Sequence, residues 1–344
     1  MNNSSKLRDA IETDGVTRRE FLGGALSASL LAGFPLELFA AGAENGVPYR
    51  KLGRTGERVS MVGLGGYHIG NQADENESVR IIRMALDNGI NFLDNCWDYN
   101  GGQSEIRMGK ALQDGYSKKA FLMTKLDGRT KSAAAAQIDE SLRRLQTDHV
   151  DLMQFHEVIR MDDPERIFAT GGGMEAALQA QKAGKIRFIG FTGHKSPDMH
   201  LHMLETAASH KFHFDTVQMP LNAMDAHYES FGKKVLPVLV KNEIGVLGMK
   251  PVGAGLLLQS KTLSAVEYLR YAMSLPTSVV ITGCESVARV QQALDLVRSF
   301  TPLSATESSA LLVKTAKAAR NGEFEGYKTT TNFDGTAHNP QWLG

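Results

Sequence analysis

The chain is poor in cysteine: Cys96 and Cys284 are its only two in 344 residues. Two thiols cannot build a disulfide scaffold, and no pair of Cys and His stands at zinc-type spacing. Both cysteines read as unpaired small hydrophobes. Charge of one sign is also missing, since 38 Lys plus Arg balance 38 Asp plus Glu. That removes the electrostatic case for nucleic acid or an anionic membrane. A long apolar run is lacking as well. The most apolar stretch, Leu26 to Phe39, is broken by Gly33 and Pro35 and is too short for a comfortable membrane span. The dinucleotide fingerprint of an open α/β sheet is absent too. Gly63-Leu64-Gly65-Gly66 has His68 where a glycine is needed, and no helix follows at once. There is no low-complexity tract and no repeat beyond a β/α alternation.

What is present begins with a leader. Thr17-Arg18-Arg19-Glu20-Phe21-Leu22 resembles the twin-arginine export motif, the modestly apolar stretch follows it, and Ala41-Gly42-Ala43 offers an A-x-A cleavage site. Residues 1–43 therefore read as a signal segment and 44–344 as the mature domain. The expected partner during export is the twin-arginine translocase. The expected location is periplasmic or otherwise extracytoplasmic, with no stable membrane span after cleavage. That route carries folded proteins and implies a bacterial source. About 300 mature residues suit one large barrel better than two average domains, and a hydrophobic fraction of 42% supports a sizeable core.

Eight short apolar runs alternate with helical patterns: Met61–Gly65, Phe92–Asn95, Phe121–Lys125, Leu152–His156, Phe188–Gly193, Thr216–Pro220, Gly245–Lys250 and Ser278–Gly283. Strands alternating with helices predict a parallel sheet, and eight such units predict a closed (β/α)8 TIM barrel. Ser132 is placed to cap a helix with Ile138, Leu142 and Leu145 on one face. Val79, Ile82 and Leu86 form an earlier face that Gly89 ends. Tyr49 to Ser60, with Gly53 and Gly56 at its turn, predicts an N-terminal β-hairpin plugging the barrel bottom. Helices are expected near Val287–Val297 and Ala305–Ala319. The tail from Asn321 carries Tyr327, Phe333 and Trp342, which favours a packed flap over disorder.

Four ionisable groups fall at or just after predicted strand ends: Asp94, Tyr99, Lys125 and His156. Side chains alternate along a strand, so Asp94 shares its side with Phe92, Lys125 with Met123, and His156 with Gln154 and Leu152. Gln154 then needs a hydrogen-bond partner inside the barrel. A free phenol has a pKa of about 10. A neighbouring ammonium is expected to lower it, and a paired carboxylate keeps that ammonium in place and charged. Tyr99 thus reads as general acid for carbonyl reduction and base for alcohol oxidation, Lys125 as its tuner, Asp94 as the support of Lys125. His156 reads as the group that orients the substrate oxygen. Each residue alone is more economically a rim lysine, a structural histidine, a helix cap or a surface aromatic. The order and strand-end placement of all four reverse that judgement.

With these residues in view, the chain resembles the aldo-keto reductase superfamily. The resemblance rests on Leu52-Gly53-Arg54-Thr55-Gly56, Phe92-Leu93-Asp94 with Tyr99 and Ser104-Glu105, Thr124-Lys125, Asp151-Leu152 leading to His156, Ile189-Gly190-Phe191-Thr192-Gly193, Val217-Gln218 with Asn222, and Pro251 with Gly255-Leu256. It extends from about Tyr49 to Val297. It implies a metal-free barrel that moves a hydride between NAD(P)H and a carbonyl, with Asp94, Tyr99, Lys125 and His156 as the catalytic set.

The resemblance also implies a cofactor site. Thr192, Gly193 and Gln218 stand where the nicotinamide carboxamide is held, and Met249 stands where many members have a stacked aromatic. The loop with Lys250, Pro251, Gly253 and Gly255 and the segment from Gly283 to Gln292 stand where the pyrophosphate and adenosine ribose are held. Arg289 suits a 2′-phosphate and Glu285 a ribose hydroxyl. NADP is the expected cofactor, with NAD as the alternative. Tyr67, His68, Trp97, Asp98, Glu157 and parts of the tail are expected to line the substrate pocket. That mixture suits a sugar, polyol or other polar carbonyl more than a steroid. Two other readings stand beside the reductase: a non-catalytic redox sensor or partner subunit on the same barrel, and a Schiff-base aldolase using Lys125.

Overall fold

A computed structural model describes residues 42–344; the twin-arginine motif and its apolar stretch lie outside the described residues. The N-terminal strands β1 (Ala43–Glu44), β2 (Val47–Lys51) and β3 (Arg58–Ser60) form an antiparallel sheet, with Tyr49 opposite Ser60 and Lys51 opposite Arg58. Gly53 turns this hairpin with φ +52°, and a Cβ there would lie 2.4 Å from the backbone nitrogen of Gly245. Only glycine allows the turn to press so closely on the barrel. Leu52 and Val59 of the hairpin are buried against Phe92, Phe121, Met123 and Leu152 in the barrel interior. The hairpin is the expected plug.

The barrel strands are β4 (Val62–Gly65), β5 (Phe92–Asp94), β6 (Phe121–Leu126), β7 (Val150–Phe155), β8 (Ile186–Thr192), β9 (Thr216–Pro220), β10 (Gly245–Met249) and β11 (Val279–Gly283). They pair in parallel, in sequence order, and β11 closes on β4. Alternation holds: Phe92, Met123 and Leu152 fill the interior, whereas Leu93 joins the outer core under the helices. Gln154 donates to Thr216 Oγ1 at 3.1 Å across the interior. Gly190 makes room for that bond, because a Cβ there would sit 2.2 Å from the same oxygen.

The helices follow their amphipathic patterns. In α1 (Glu75–Asp87), Ile82 and Leu86 are buried, and Gly89 follows with φ +94°. In α2 (Gln103–Ala111), Glu105 is buried and accepts from Thr124 Oγ1 at 2.6 Å. The helix α3 (Lys131–Leu145) buries Ile138, Leu142 and Leu145, but its cap is Thr130 and not Ser132. Ser132 is already helical; the Thr130 side chain accepts from the Ala133 backbone N–H. Further on come α4 (Asp163–Phe168), α5 (Gly173–Lys182), α6 (Pro197–Ser209), α7 (Phe231–Lys234), α8 (Leu236–Lys241), α9 (Leu256–Gln259), α10 (Ala265–Ser274), α11 (Val287–Arg298) and α12 (Ala305–Ala319). Among the described residues no helix is long and apolar enough to cross a membrane.

The C-terminal tail is ordered. Its short helices α13 (Gly326–Thr329) and α14 (Gly335–His338) lead to a final turn at Pro340–Leu343. Tyr327 is fully buried, and Trp342 packs edge-on against Trp97 at 5.6 Å.

Candidate active site

The parallel strands all point their C-terminal ends to one mouth, where a cavity of about 660 Å³ opens. Asp94 ends β5, Lys125 lies near the end of β6, and His156 follows β7. Tyr99 stands one turn beyond β5. All four line the cavity.

Lys125 is the hub. Its Nζ donates to Asp94 Oδ1 at 2.5 Å, to the Asn95 carbonyl at 2.6 Å and to the Tyr99 hydroxyl at 3.0 Å. All three ammonium protons are engaged. Burial lowers the pKa of Lys125, but Asp94 and Tyr99 outweigh it and the net is raised. The amine is held as ammonium, which removes it as a Schiff-base nucleophile. Tyr99 departs from the expected direction. Burial pushes its phenol up, and the pull of Lys125 does not compensate, so the group stays well above its ordinary value. In this cavity Tyr99 keeps its proton and is not poised as a phenolate.

His156 donates from Nδ1 to Asp127 Oδ1 at 2.9 Å, with Asp98 Oδ1 3.9 Å from the same nitrogen. Burial pulls the imidazole pKa down, but Asp98, Asp127 and Glu157 pull harder and the net is raised. Burial likewise raises Asp127, against the pull of His156 and Arg129. The pair therefore keeps its proton to higher pH than either group would alone. Arg129 supports this loop from behind. Its guanidinium donates to the carbonyls of Asp127 and His156, both at 2.7 Å, to that of Glu157 at 3.1 Å, and to Asp163 at 2.9 Å. Sequence reading overlooked Asp127 and Arg129. The signal for Asp127 was its place two residues after Lys125, on the same side of an extended chain.

The residues expected to hold a nicotinamide cofactor fall into two groups. Thr192, Gln218, Met249, Lys250, Pro251, Gly255 and Arg289 line the cavity. Gly193 and Gly253 do not. Gly193 is packed so tightly that a Cβ would lie 2.3 Å from the Val158 carbonyl, and Gly253 is covered by Leu257. Gln218 supplies the test of fit for a nicotinamide. Its Nε2 donates to Asp94 Oδ2 at 2.8 Å, while its Oε1 is buried without a partner. An unpaired amide oxygen on the cavity floor beside Thr192 suits the N–H of a carboxamide. At the rim, Arg289 pairs with Glu285 at 3.2 Å and with Gln292 at 3.0 Å.

On the substrate side, Tyr67, His68, Asp98 and Glu157 line the cavity together with Phe333, Gly335 and His338 of the tail. Trp97 is placed elsewhere. Its indole donates to Glu140 at 2.8 Å and packs on Trp342 and Arg144, so it anchors the tail from outside the cavity. The expectation for Trp97 came from its closeness in sequence to Tyr99. The turn between them sends the two rings in different directions.

Comparison with known proteins agrees with this geometry. The Aldo/keto reductase family matches residues 61–268. The chain belongs to that family. It is 32% identical over 224 residues to "Aldo-keto reductase YhdN" of Bacillus subtilis, a match covering 61% of this chain and 63% of that protein. It is 28% identical over 298 residues to "L-galactose dehydrogenase" of Arabidopsis thaliana, covering 75% and 90% respectively. Among solved structures, aldo-keto reductase AKR11C1 from Bacillus halodurans, in its holo form, superposes with a TM-score of 0.67 at 26% identity, over 81% of this chain and 99% of that one. This aldo-keto reductase is thus an oxidoreductase of carbonyls and alcohols, in a family that binds nicotinamide cofactors.

Proposed function

We propose that this aldo-keto reductase interconverts a polar carbonyl compound and its alcohol, with Tyr99 as the general acid and base. The observation that carries this is the 3.0 Å hydrogen bond from Lys125 Nζ to the Tyr99 hydroxyl, in the cavity at the barrel mouth. The donated bond leaves the phenolic proton free to point at a substrate oxygen. Burial keeps that proton on Tyr99 until a carbonyl accepts it. His156, fixed by Asp127 at Nδ1, presents Nε2 to orient the same oxygen. Lys125 offsets the charge on the phenolate once the proton has gone.

Thr192 and Gln218 would hold a nicotinamide carboxamide, Lys250 and the backbone to Gly255 a pyrophosphate, and Arg289 a 2′-phosphate, for which its planar fork is suited. The bound nicotinamide supplies or takes the hydride. NADP(H) is the preferred form in this reading. Tyr67, His68, Glu157 and the tail give the substrate side both aromatic faces and hydrogen-bonding groups, which suits a sugar or polyol. The name of the Arabidopsis relative, a galactose dehydrogenase, points the same way. Export by the twin-arginine route belongs to the same proposal, because that route moves a folded protein with its cofactor already in place.

The test is a fluorescence titration of the mature protein with NADPH and NADH, followed by a panel of carbonyl substrates, on wild type and Tyr99→Phe. Tight nucleotide binding by both proteins is expected, with kcat lower in the variant by about 100- to 10,000-fold, the usual worth of a general acid. Nucleotide binding with no turnover of any carbonyl by wild type would favour the sensor reading.

A further inference from the structure

Beside Tyr99, the catalytic His156 shares its Nδ1 side with Cys96, a side chain to which carbonyl reduction gives no role, and with Asp98. Cys96 follows β5, Asp98 lies in the next turn, and His156 arrives from the end of β7. One donor atom from each, a sulfur, an oxygen and a nitrogen, lies within 4.8 Å of the other two. The geometry points to a binding site for a thiophilic divalent cation of the zinc class, formed by Cys96, Asp98 and His156. A second observation supports it. Asp98 Oδ1 and Asp127 Oδ2 are both buried without a hydrogen-bond partner. Two carboxylates thus share a single imidazole at this corner, and one oxygen of each is unsatisfied. A buried carboxylate oxygen without a donor is costly, and a cation is one way to satisfy it.

The donor types choose the ion. Thiolate, imidazole and carboxylate together suit zinc and its spectroscopic substitutes, whereas magnesium and calcium take oxygen. Three protein ligands with a further open position also match a zinc site that keeps a water. Zinc bonds of about 2.0–2.3 Å place tetrahedral donors roughly 3.5 Å apart, so the three side chains close by about 1 Å. Asp127 Oδ1, 2.9 Å from His156 Nδ1, is the nearest further oxygen. Entry is open, since Asp98 and His156 line the cavity while Cys96 is buried behind them. As sulfur and nitrogen bond the cation, the thiol proton and the Nδ1 proton pass to solvent. Sequence spacing hides this site because its ligands come from two different strand ends.

Cobalt titration of the mature, reduced protein tests it without any assay of turnover, so its failure and that of the reductase reading are separable. One equivalent of Co²⁺ is expected to give a near-ultraviolet thiolate-to-metal band, which one equivalent of Zn²⁺ removes. Cys96→Ser should abolish the band and Cys284→Ser should keep it, with circular dichroism checking the fold of each. If Cys96→Ser does not fold, Asp98→Asn keeps the thiol and should weaken cobalt binding at least tenfold. No band in folded, reduced wild type overturns the proposal. So does a band that survives Cys96→Ser or is lost with Cys284→Ser.

Discussion

Tyr99 and Lys125 touch, yet the phenol is held above its ordinary pKa because burial acts on it more strongly than one ammonium does. Reading the pair from sequence registered the charge and missed the desolvation, since burial is a property of the closed mouth and not of two neighbouring letters. His156 shows the opposite balance: its surrounding acids overcome burial. A raised folded pKa means that the imidazolium persists above the ordinary value of about 6.5. Its contribution to stability is full below that value and is lost as pH rises through the folded one. If the imidazolium is the form that donates from Nε2, carbonyl reduction falls along the same limb. Asp127→Asn removes one of the raising charges and should move the limb to lower pH, with the Tyr99 hydroxyl untouched. A kcat/KM profile with saturating nucleotide reads this directly. An identical profile in wild type and Asp127→Asn would show that His156 does not carry the limb.

The strands were legible because apolar runs and turn residues are local. All eight barrel strands fall within a residue or two of the predicted runs, and β9 and α12 match at both ends. The elements joining them were less so. Thr130 and Ser132 both qualify as caps on local chemistry, and the choice is made by where the chain leaves the barrel. Gln154 could be tolerated inside only because Gly190 faces it from the next strand, a pairing set by register. The segment from β6 to α4 depends most on such distant partners. Arg129 and Asp163 are fully buried and paired at 2.9 Å, and Asp163 also accepts from the Ile159 and Arg160 backbone N–H groups, both at 3.0 Å. Asp163→Ala leaves a buried guanidinium unpaired and three donors without their acceptor. The expected loss is about 3–5 kcal/mol, the usual cost of breaking a buried pair from one side. The apolar double variant Arg129→Met/Asp163→Leu should be less destabilised than the single, because no charge is stranded. Urea unfolding of the three proteins measures the order.

At the scale of the whole molecule the tail decides how closed the mouth is. It is fastened on both sides of the cavity. On the β8 side, Asp334 accepts from His194 at 3.1 Å and pairs with Lys195 at 2.7 Å, and Lys195 also reaches the Thr330 carbonyl at 2.5 Å. On the β6 side, the Arg129 backbone N–H donates to the Leu343 carbonyl at 2.8 Å, and Gln137 donates to that of Trp342 at 2.9 Å. Between the two, Glu157 accepts from the Thr336 backbone and hydroxyl at 2.8 and 3.0 Å. The aromatics of the tail announced that it packs, but nothing local announced where, because each of these fastenings joins it to a residue more than 130 positions away. Asp334→Ala removes both side-chain partners on one side and leaves the other side intact. The barrel core does not depend on Asp334, so the melting temperature should change little. Nucleotide release, followed by stopped-flow fluorescence, should become faster by about tenfold if the lost contacts together are worth about 1.4 kcal/mol to the closed tail. An unchanged release rate in a folded variant would mean that the tail shapes the substrate side of the cavity without controlling how long the cofactor stays.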